Sequence, residues 1–376
     1  MSHIVIIGCG IVGATIAYEL SLIPGLNVTV LDKQPPAQGS TAAALGVLMG
    51  VISHKTKGKA WQMRSHSIER YKTLIPELEA LTGRTIPHNQ QGILKLCPVE
   101  EDLSKWEKLA QTRLEQGWQL KLWNSAKLKA NCPQINCQLL PAAIYSPQDL
   151  QVDPVALTLA LVEAAKSRGV TFHFDATTLH YDRTPTVPYT IKSVQTDKSP
   201  LKVDWLVVAA GLGSLQVLPV SDRALDAPKL DLRPVLGQAI HMRLPNSLGN
   251  PDFQPVITGD DVHIVPCLTN RPVTDYWIGA TVEFPLESGQ SVAEAEKLAE
   301  VRQKAIAFCP ALEAATIVKT WSGLRPRPEA RPAPIIELLE GSNNVLLATG
   351  HYRNGVLLAP ATAQRIINLL DSFLVS

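Results

Sequence analysis

Ile4-Val5-Ile6-Ile7 runs straight into Gly8-Cys9-Gly10-Ile11-Val12-Gly13, and an apolar, helix-like stretch then leads to Val28-Thr29-Val30-Leu31-Asp32. This is a strand, a Gly-x-Gly-x-x-Gly turn, a helix and a second strand closed by an acid. Gly8 permits a tight turn off the strand, Gly10 lets backbone approach a pyrophosphate, and Gly13 lets the helix pack close to the sheet. The first N–H groups of that helix, at Ile11 and Val12, point to an anion site. Asp32 follows Gly13 by 19 residues, where a carboxylate accepts hydrogen bonds from ribose hydroxyls, with Lys33 beside it. A 2′-phosphate at that place would be repelled by Asp32. A lone glycine motif is weak, but its flanking strand, helix and acid separate it from an ordinary glycine-rich turn. The pattern predicts an α/β, Rossmann-like dinucleotide fold and leaves NAD and FAD both open.

The chain has 376 residues, 45% of them hydrophobic and 18% charged, which suits a folded enzyme of two domains. A net charge of +1, from 35 basic and 34 acidic side chains, predicts no nucleic-acid partner and no electrostatic hold on an anionic membrane. The N-terminal apolar run is broken by Gly8, Gly10, Gly13 and Glu19 and has no basic leader, so it reads as βαβ and not as a signal or an integral membrane segment. A cytoplasmic protein is expected; peripheral membrane contact stays open. Cys9, Cys97, Cys132, Cys137, Cys267 and Cys309 are scattered, without a C-x-x-C pair or a nearby histidine at ligand spacing. They read as reduced thiols, and no metal site is expected.

Segment 37–50 is rich in small residues and nearly uncharged. It suits either a passage beside a flat ligand or a buried helix on the sheet. Apolar periodicity predicts helices over 60–83 and 99–117, with short strands around 85–98 and 138–147. Asp153-Pro154 opens a helix to about Arg168, Gly169 stops it, and Val170 to Phe174 returns as a strand. Trp205-Leu206-Val207-Val208-Ala209-Ala210-Gly211 reads as a buried parallel strand entering a glycine turn. Gln238 to Arg243, Val262 to Pro266 and Tyr276 to Val282 read as antiparallel strands, and 292–308 as a helix. Asn344 to Gly350 is a last buried strand, followed by an apolar helix to about Leu374. A nucleotide domain is therefore expected from 1–84, 148–215 and 320–376, with a β-rich α+β substrate domain from 85–147 and 216–319.

The glycine motif, the Gly39-Ser40-Thr41 loop, Asp153-Pro154, the Trp205–Gly211 strand, Gly237-Gln238 and the C-terminal block together resemble the D-amino-acid oxidase family of FAD-dependent amine oxidoreductases. Trp321-Ser322-Gly323-Leu324-Arg325-Pro326 and Gly350-His351-Tyr352-Arg353-Asn354-Gly355-Val356-Leu357-Leu358-Ala359-Pro360 resemble its glycine oxidases. The resemblance implies FAD as the cofactor. Flavin-tethering relatives use a cysteine just after the position of Arg325, and no cysteine lies beyond Cys309, which favours noncovalent FAD. It implies oxidative deamination of a small amino acid, such as glycine, sarcosine or a small D-amino acid, by hydride transfer to flavin. O2 would then reoxidise the flavin to give H2O2, an oxo acid and an amine. Thiamine-precursor synthesis is the specific pathway implied, and a homo-oligomer is a further expectation. A D-amino-acid dehydrogenase serving a quinone, or a flavoprotein subunit without catalysis, are the alternatives.

Arg325 is the expected carboxylate clamp, since a guanidinium pairs with a carboxylate through two parallel hydrogen bonds. The Gly350–Val356 turn, including Tyr352, Arg353, Asn354 and Gly355, would lie at the flavin, where a helix N-terminus favours negative charge. Arg353 would border the substrate or merely pair with an acid. Gly46 and Val47, and Ala210 with Gly211, are expected along the cofactor; Val47 and Met49 fall in a loop that either faces the flavin or simply packs. His263 departs from the pattern, because the glycine oxidases resembled carry a tyrosine there. It reads either as a substrate contact or as a strand histidine without catalytic duty. His351 is expected to shape the turn.

Overall fold

The computed structural model describes residues 2–218, 230–268 and 272–374. Six strands form one sheet in the order Ile335–Leu338, Val345–Thr349, Trp205–Val208, Ser2–Ile7, Leu26–Leu31, Thr171–His173. All pairings are parallel except the first. Both faces are covered, so the strands are apolar without alternation. Ile4 and Ile6 face a core shared with the helices Ile11–Ser21, Gly58–Thr82, Pro154–Ser167 and Gly355–Leu374. Val5 and Ile7 face the opposite core, which includes Ile191 and Val194 of a three-stranded antiparallel sheet, Thr178–Arg183, Ile191–Thr196 and Pro200–Lys202. That small sheet has no counterpart in the sequence reading, because its strands are short and only Ile191 and Val194 in them are fully buried.

The second large sheet has eight strands, ordered Thr316–Pro328, Leu232–Arg243, Asp275–Gly279, Val262–Pro266, Val256–Gly259, Ile93–Cys97, Ala142–Ser146, Lys121–Asn124. Only the Val256–Gly259 and Ile93–Cys97 pair is parallel. Residue 320 falls inside the long Thr316–Pro328 strand, which pairs with Leu232–Arg243 through almost its whole length. Residues 219–229 of the 216–319 segment lie outside the described residues. The helix expected over 99–117 spans Leu103–Glu115, with Asp102 capping it, and the strand expected to reach Val282 stops at Gly279.

The Asp153 signal is realised locally. Its carboxylate accepts from Val155 N and Ala156 N, both at 2.9 Å, and Pro154 takes the first helical position. No helix among the described residues is long and apolar enough to cross a membrane.

Candidate cofactor and substrate site

A cavity of about 870 Å³ opens where the carboxyl ends of the parallel strands meet the eight-stranded sheet. Gly8, Gly10, Ile11, Val12, Asp32 and Lys33 line one end. Gly8 has φ +107°, and a β-carbon there would run into the backbone of Ala209. The helix hydrogen bonding starts from Ala14 N to Gly10 O at 2.9 Å, so the N–H groups before Ala14 have no intrahelical partner. Ile11 N donates instead to Thr41 Oγ1 at 3.0 Å. Gly13 does not line the cavity. A β-carbon on it would overlap Gly8 O, so it serves the close packing of helix on turn. Asp32 does more than the motif reading foresees: Oδ2 accepts from Cys9 N at 2.6 Å and Oδ1 from Gln34 N at 2.9 Å, which ties the turn to the second strand. Each oxygen retains a lone pair for a hydroxyl.

Gly39, Ser40, Thr41, Gly46, Val47, Ala210 and Gly211 also line the cavity, as do Gly350, Tyr352, Arg353, Gly355 and Val356. Segment 37–50 is thus a cavity wall carrying a single short helix, Ser40–Ala43. Gly46, at φ +71°, sits where a β-carbon would overlap Val152 O. Tyr352 is held at φ +52°, a conformation costly for a residue with a side chain. Asn354 and Met49 are off the wall as well: the Asn354 N–H donates to His351 O at 3.0 Å and so shapes the turn, and Met49 packs against the core. A narrow, glycine-lined trough beginning at a helix N-terminus with an acid beside it fits a dinucleotide such as FAD.

The other end brings Arg325, Arg353 and His263 onto the same cavity. Arg325 Nη1 donates to the carbonyls of Leu236 and Thr281, each at 3.1 Å. It forms no ion pair among the described residues. Burial, then the Arg353 guanidinium, lowers its pKa, but an arginine stays charged at neutral pH. Arg353 meets both of its readings: it lines the cavity, and its Nη2 lies 3.2 Å from Asp261 Oδ1 in an exposed pair. Asp261 sits with Asp260 in the tight turn between Val256–Gly259 and Val262–Pro266, both at positive φ. His263 Nδ1 is buried without a hydrogen-bond partner. Burial first, then Arg353, pushes its pKa down to about 4, so the ring is neutral at physiological pH. His351 is neutral for the same reason, pushed down by burial to about 4. Its Nε2 lies 2.9 Å from Thr362 Oγ1, whose own proton goes to Leu358 O at 2.8 Å. His351 Nε2 must therefore carry the hydrogen.

The matching family is described as FAD dependent oxidoreductase, and the match runs over residues 3–369. The chain belongs to this family. It is 31% identical over 375 residues to a bifunctional protein ThiO/ThiG of Trichormus variabilis, covering 98% of this chain and 52% of that protein. The chain thus spans about half the length of the ThiO/ThiG proteins it matches. It is 27% identical to glycine oxidase of Bacillus subtilis, covering 97% of this chain and 92% of that enzyme. A crystal structure of glycine oxidase from Bacillus cereus superposes with a TM-score of 0.83 at 23% identity, over 99% of this chain and 95% of the other, a likeness of fold. The family resemblance and the mixed α/β architecture are therefore as expected.

The sequence reading overlooked the groups that hold Arg325. Backbone carbonyls at Leu236 and Thr281 have no residue signature. Gly237 did stand in a quoted motif, and its role is steric: a β-carbon there would overlap the Arg325 guanidinium.

Proposed function

We propose that this FAD-dependent oxidoreductase oxidises a small amino acid, glycine, sarcosine or a small D-amino acid, with FAD bound noncovalently in the cavity. Flavin, when bound, supplies the two-electron acceptor for the substrate C–H bond. The N–H group of Val12 and the turn at Gly8–Gly10 hold the pyrophosphate, with Ile11 lining the same end; Asp32 holds the ribose, and the Gly350–Val356 turn the flavin end. Arg325 binds the substrate carboxylate and fixes its orientation. His263 offers a neutral ring nitrogen that accepts a hydrogen bond from the substrate amine. Arg353 borders the site, its charge shared with Asp261. The net reaction is amino acid, O2 and water to oxo acid, ammonia or amine, and H2O2. Thiamine-precursor synthesis is the proposed pathway, supported by the names of the ThiO/ThiG relatives. The two discontinuous domains read from the sequence, a homo-oligomeric assembly and a cytoplasmic location are carried as part of the same reading.

One observation carries it. Arg325 is a largely buried cation, anchored by two carbonyls and lacking an acid partner, on the wall of the same cavity as the dinucleotide turn. The test is peroxide release by the FAD-loaded protein with glycine, sarcosine, D-alanine, D-proline and L-alanine, with flavin absorbance followed without oxygen. Peroxide with glycine or sarcosine is expected. Bleaching without peroxide would indicate a dehydrogenase instead. Arg325→Ala is expected to raise KM about 100-fold or more while FAD stays bound. Acid precipitation should release all the flavin.

A further inference from the structure

Behind Arg325 lies a buried carboxylate that the reaction does not use. Glu283 is 1% exposed and faces no basic side chain within ion-pair distance among the described residues. It is nevertheless fully engaged. Thr281 Oγ1 and Gln238 Nε2, the latter at 2.9 Å, donate to Oε1, and Glu294 N donates to Oε2 at 2.8 Å. These donors outweigh burial and hold the carboxyl below its ordinary pKa. The backbone of Glu283 exchanges two hydrogen bonds with Leu236, N to O at 3.0 Å and O from N at 2.8 Å. Thr281 is locked likewise, its Oγ1 accepting from Gln238 N at 2.8 Å and its N donating to Gln238 O at 3.2 Å. Leu236 and Thr281 are the two residues whose carbonyls receive Arg325 Nη1.

We propose that Glu283 is a positioning residue for the substrate carboxylate: through Thr281, Gln238 and its own backbone it sets the two carbonyls that aim the Arg325 guanidinium, in the space left by the absent side chain of Gly237. This rests on the reading of Arg325 as the carboxylate clamp. The carboxylate is needed as a group that only accepts, because three donors converge on it in a buried place. An amide at this position turns an N–H2 group toward one of those donors and breaks the frame. The anion also gives the buried guanidinium a counter-charge that does not compete for its free N–H groups.

The test compares Glu283→Gln, Thr281→Val and Arg325→Lys in the FAD-loaded protein. The readouts are steady-state kinetics with the substrate that turns over fastest, the dissociation constant for acetate from the flavin spectrum, and the thermal midpoint. Glu283→Gln is expected to raise KM and the acetate dissociation constant about 10- to 100-fold, with kcat changed less than about threefold. Thr281→Val, nearly isosteric, is expected to move the same two constants in the same direction and keeps the test open should the glutamate variant fail to fold. A fall in thermal midpoint with both constants unchanged, or a tighter acetate constant, would overturn the proposal. Arg325→Lys separates the two layers. If it leaves acetate binding intact, the reading of the clamp fails. If it weakens acetate and neither other variant does, only the role of Glu283 fails.

Discussion

Two histidines stand at the cavity wall in neutral form, and both make the fold acid-sensitive. His351 is 4% exposed and pushed down to about 4 from the ordinary 6.5, because burial penalises the charged ring. The unfolded chain takes up a proton near pH 6.5, whereas the folded chain resists until about pH 4. Below pH 6.5 the unfolded state therefore binds more protons, and stability falls as the pH drops through this window; above it the contribution is complete. The loss is on the order of 3 kcal/mol near pH 4. His351→Asn cannot titrate, so its denaturant midpoint should decline less between pH 7 and pH 4.5 than that of the unchanged protein. Equal declines would mean that His351 is not held neutral. His263, lowered by burial to about 4 as well, adds a loss of the same sign. Its Nδ1 is buried and unpaired, and a ring held neutral leaves no protonation step of its own in a rate profile between pH 6 and 8.

At the scale of elements, the segment 50–56 between the strand Val47–Leu48 and the helix Gly58–Thr82 is held by two buried charges. Asp149 accepts from Gly50 N, Val51 N and Ile52 N at 2.8, 2.7 and 2.8 Å, and from Ser146 Oγ at 2.8 Å. Arg113 grips the same segment from the other side, donating to Val51 O at 2.7 Å, Ser53 O at 2.6 Å and Lys55 O at 2.9 Å, with its guanidinium 3.6 Å from the Trp61 ring centroid. These two side chains replace the backbone partners that a strand or helix would provide. Asp149→Ala strands three buried N–H groups and should cost about 3 kcal/mol or more, read as a lower thermal midpoint. Asp149→Asn, which keeps one acceptor oxygen, should cost less. Asp149 was not legible in the sequence, whereas Asp153 four residues later was. The difference is physical: Asp153 caps its own helix, so Pro154 beside it completes a local pattern, while Asp149 serves residues 97 to 99 positions away. The same division runs through the candidate site. The glycine turn, Asp32 and the Gly-Leu-Arg-Pro string are contiguous and readable. The carbonyls under Arg325 and the Thr281–Glu283 frame arise only from the pairing of Leu236 with Glu283 across the sheet.

For the whole molecule, the cavity lies between two sheets that share part of their apolar packing, since Cys97 and Ile144 of the eight-stranded sheet belong to the core that covers Ile4 and Ile6. The six-stranded sheet contributes Gly8 and Gly10–Val12, Ala209–Gly213, Gly350–Arg353 and Gly355–Leu357 at its strand ends; the eight-stranded sheet contributes Gly237, Ala239, His263 and Arg325. Specific ties link the two sides: Ser40 Oγ donates to Leu324 O at 2.6 Å, Trp321 Nε1 donates to Ala43 O at 3.1 Å, and Gly323 leaves room for Ala43 where a side chain would overlap it. A ligand filling this cavity touches both walls and adds contacts that the unfolded chain cannot make. FAD at about 100 times its dissociation constant should therefore stabilise the chain by about 2.7 kcal/mol. For a protein of this size that corresponds to a rise in thermal midpoint of several degrees, about 2 °C or more per kcal/mol. The check is calorimetry of the flavin-free protein with FAD, NAD or neither. A dinucleotide that reached only the glycine turn would bind one wall, so NAD at the same concentration should shift the midpoint far less. An equal shift by both would mean that the wall around Arg325 and His263 takes no part in holding the cofactor, and would return the choice between the two dinucleotides to the open question that the glycine motif alone poses.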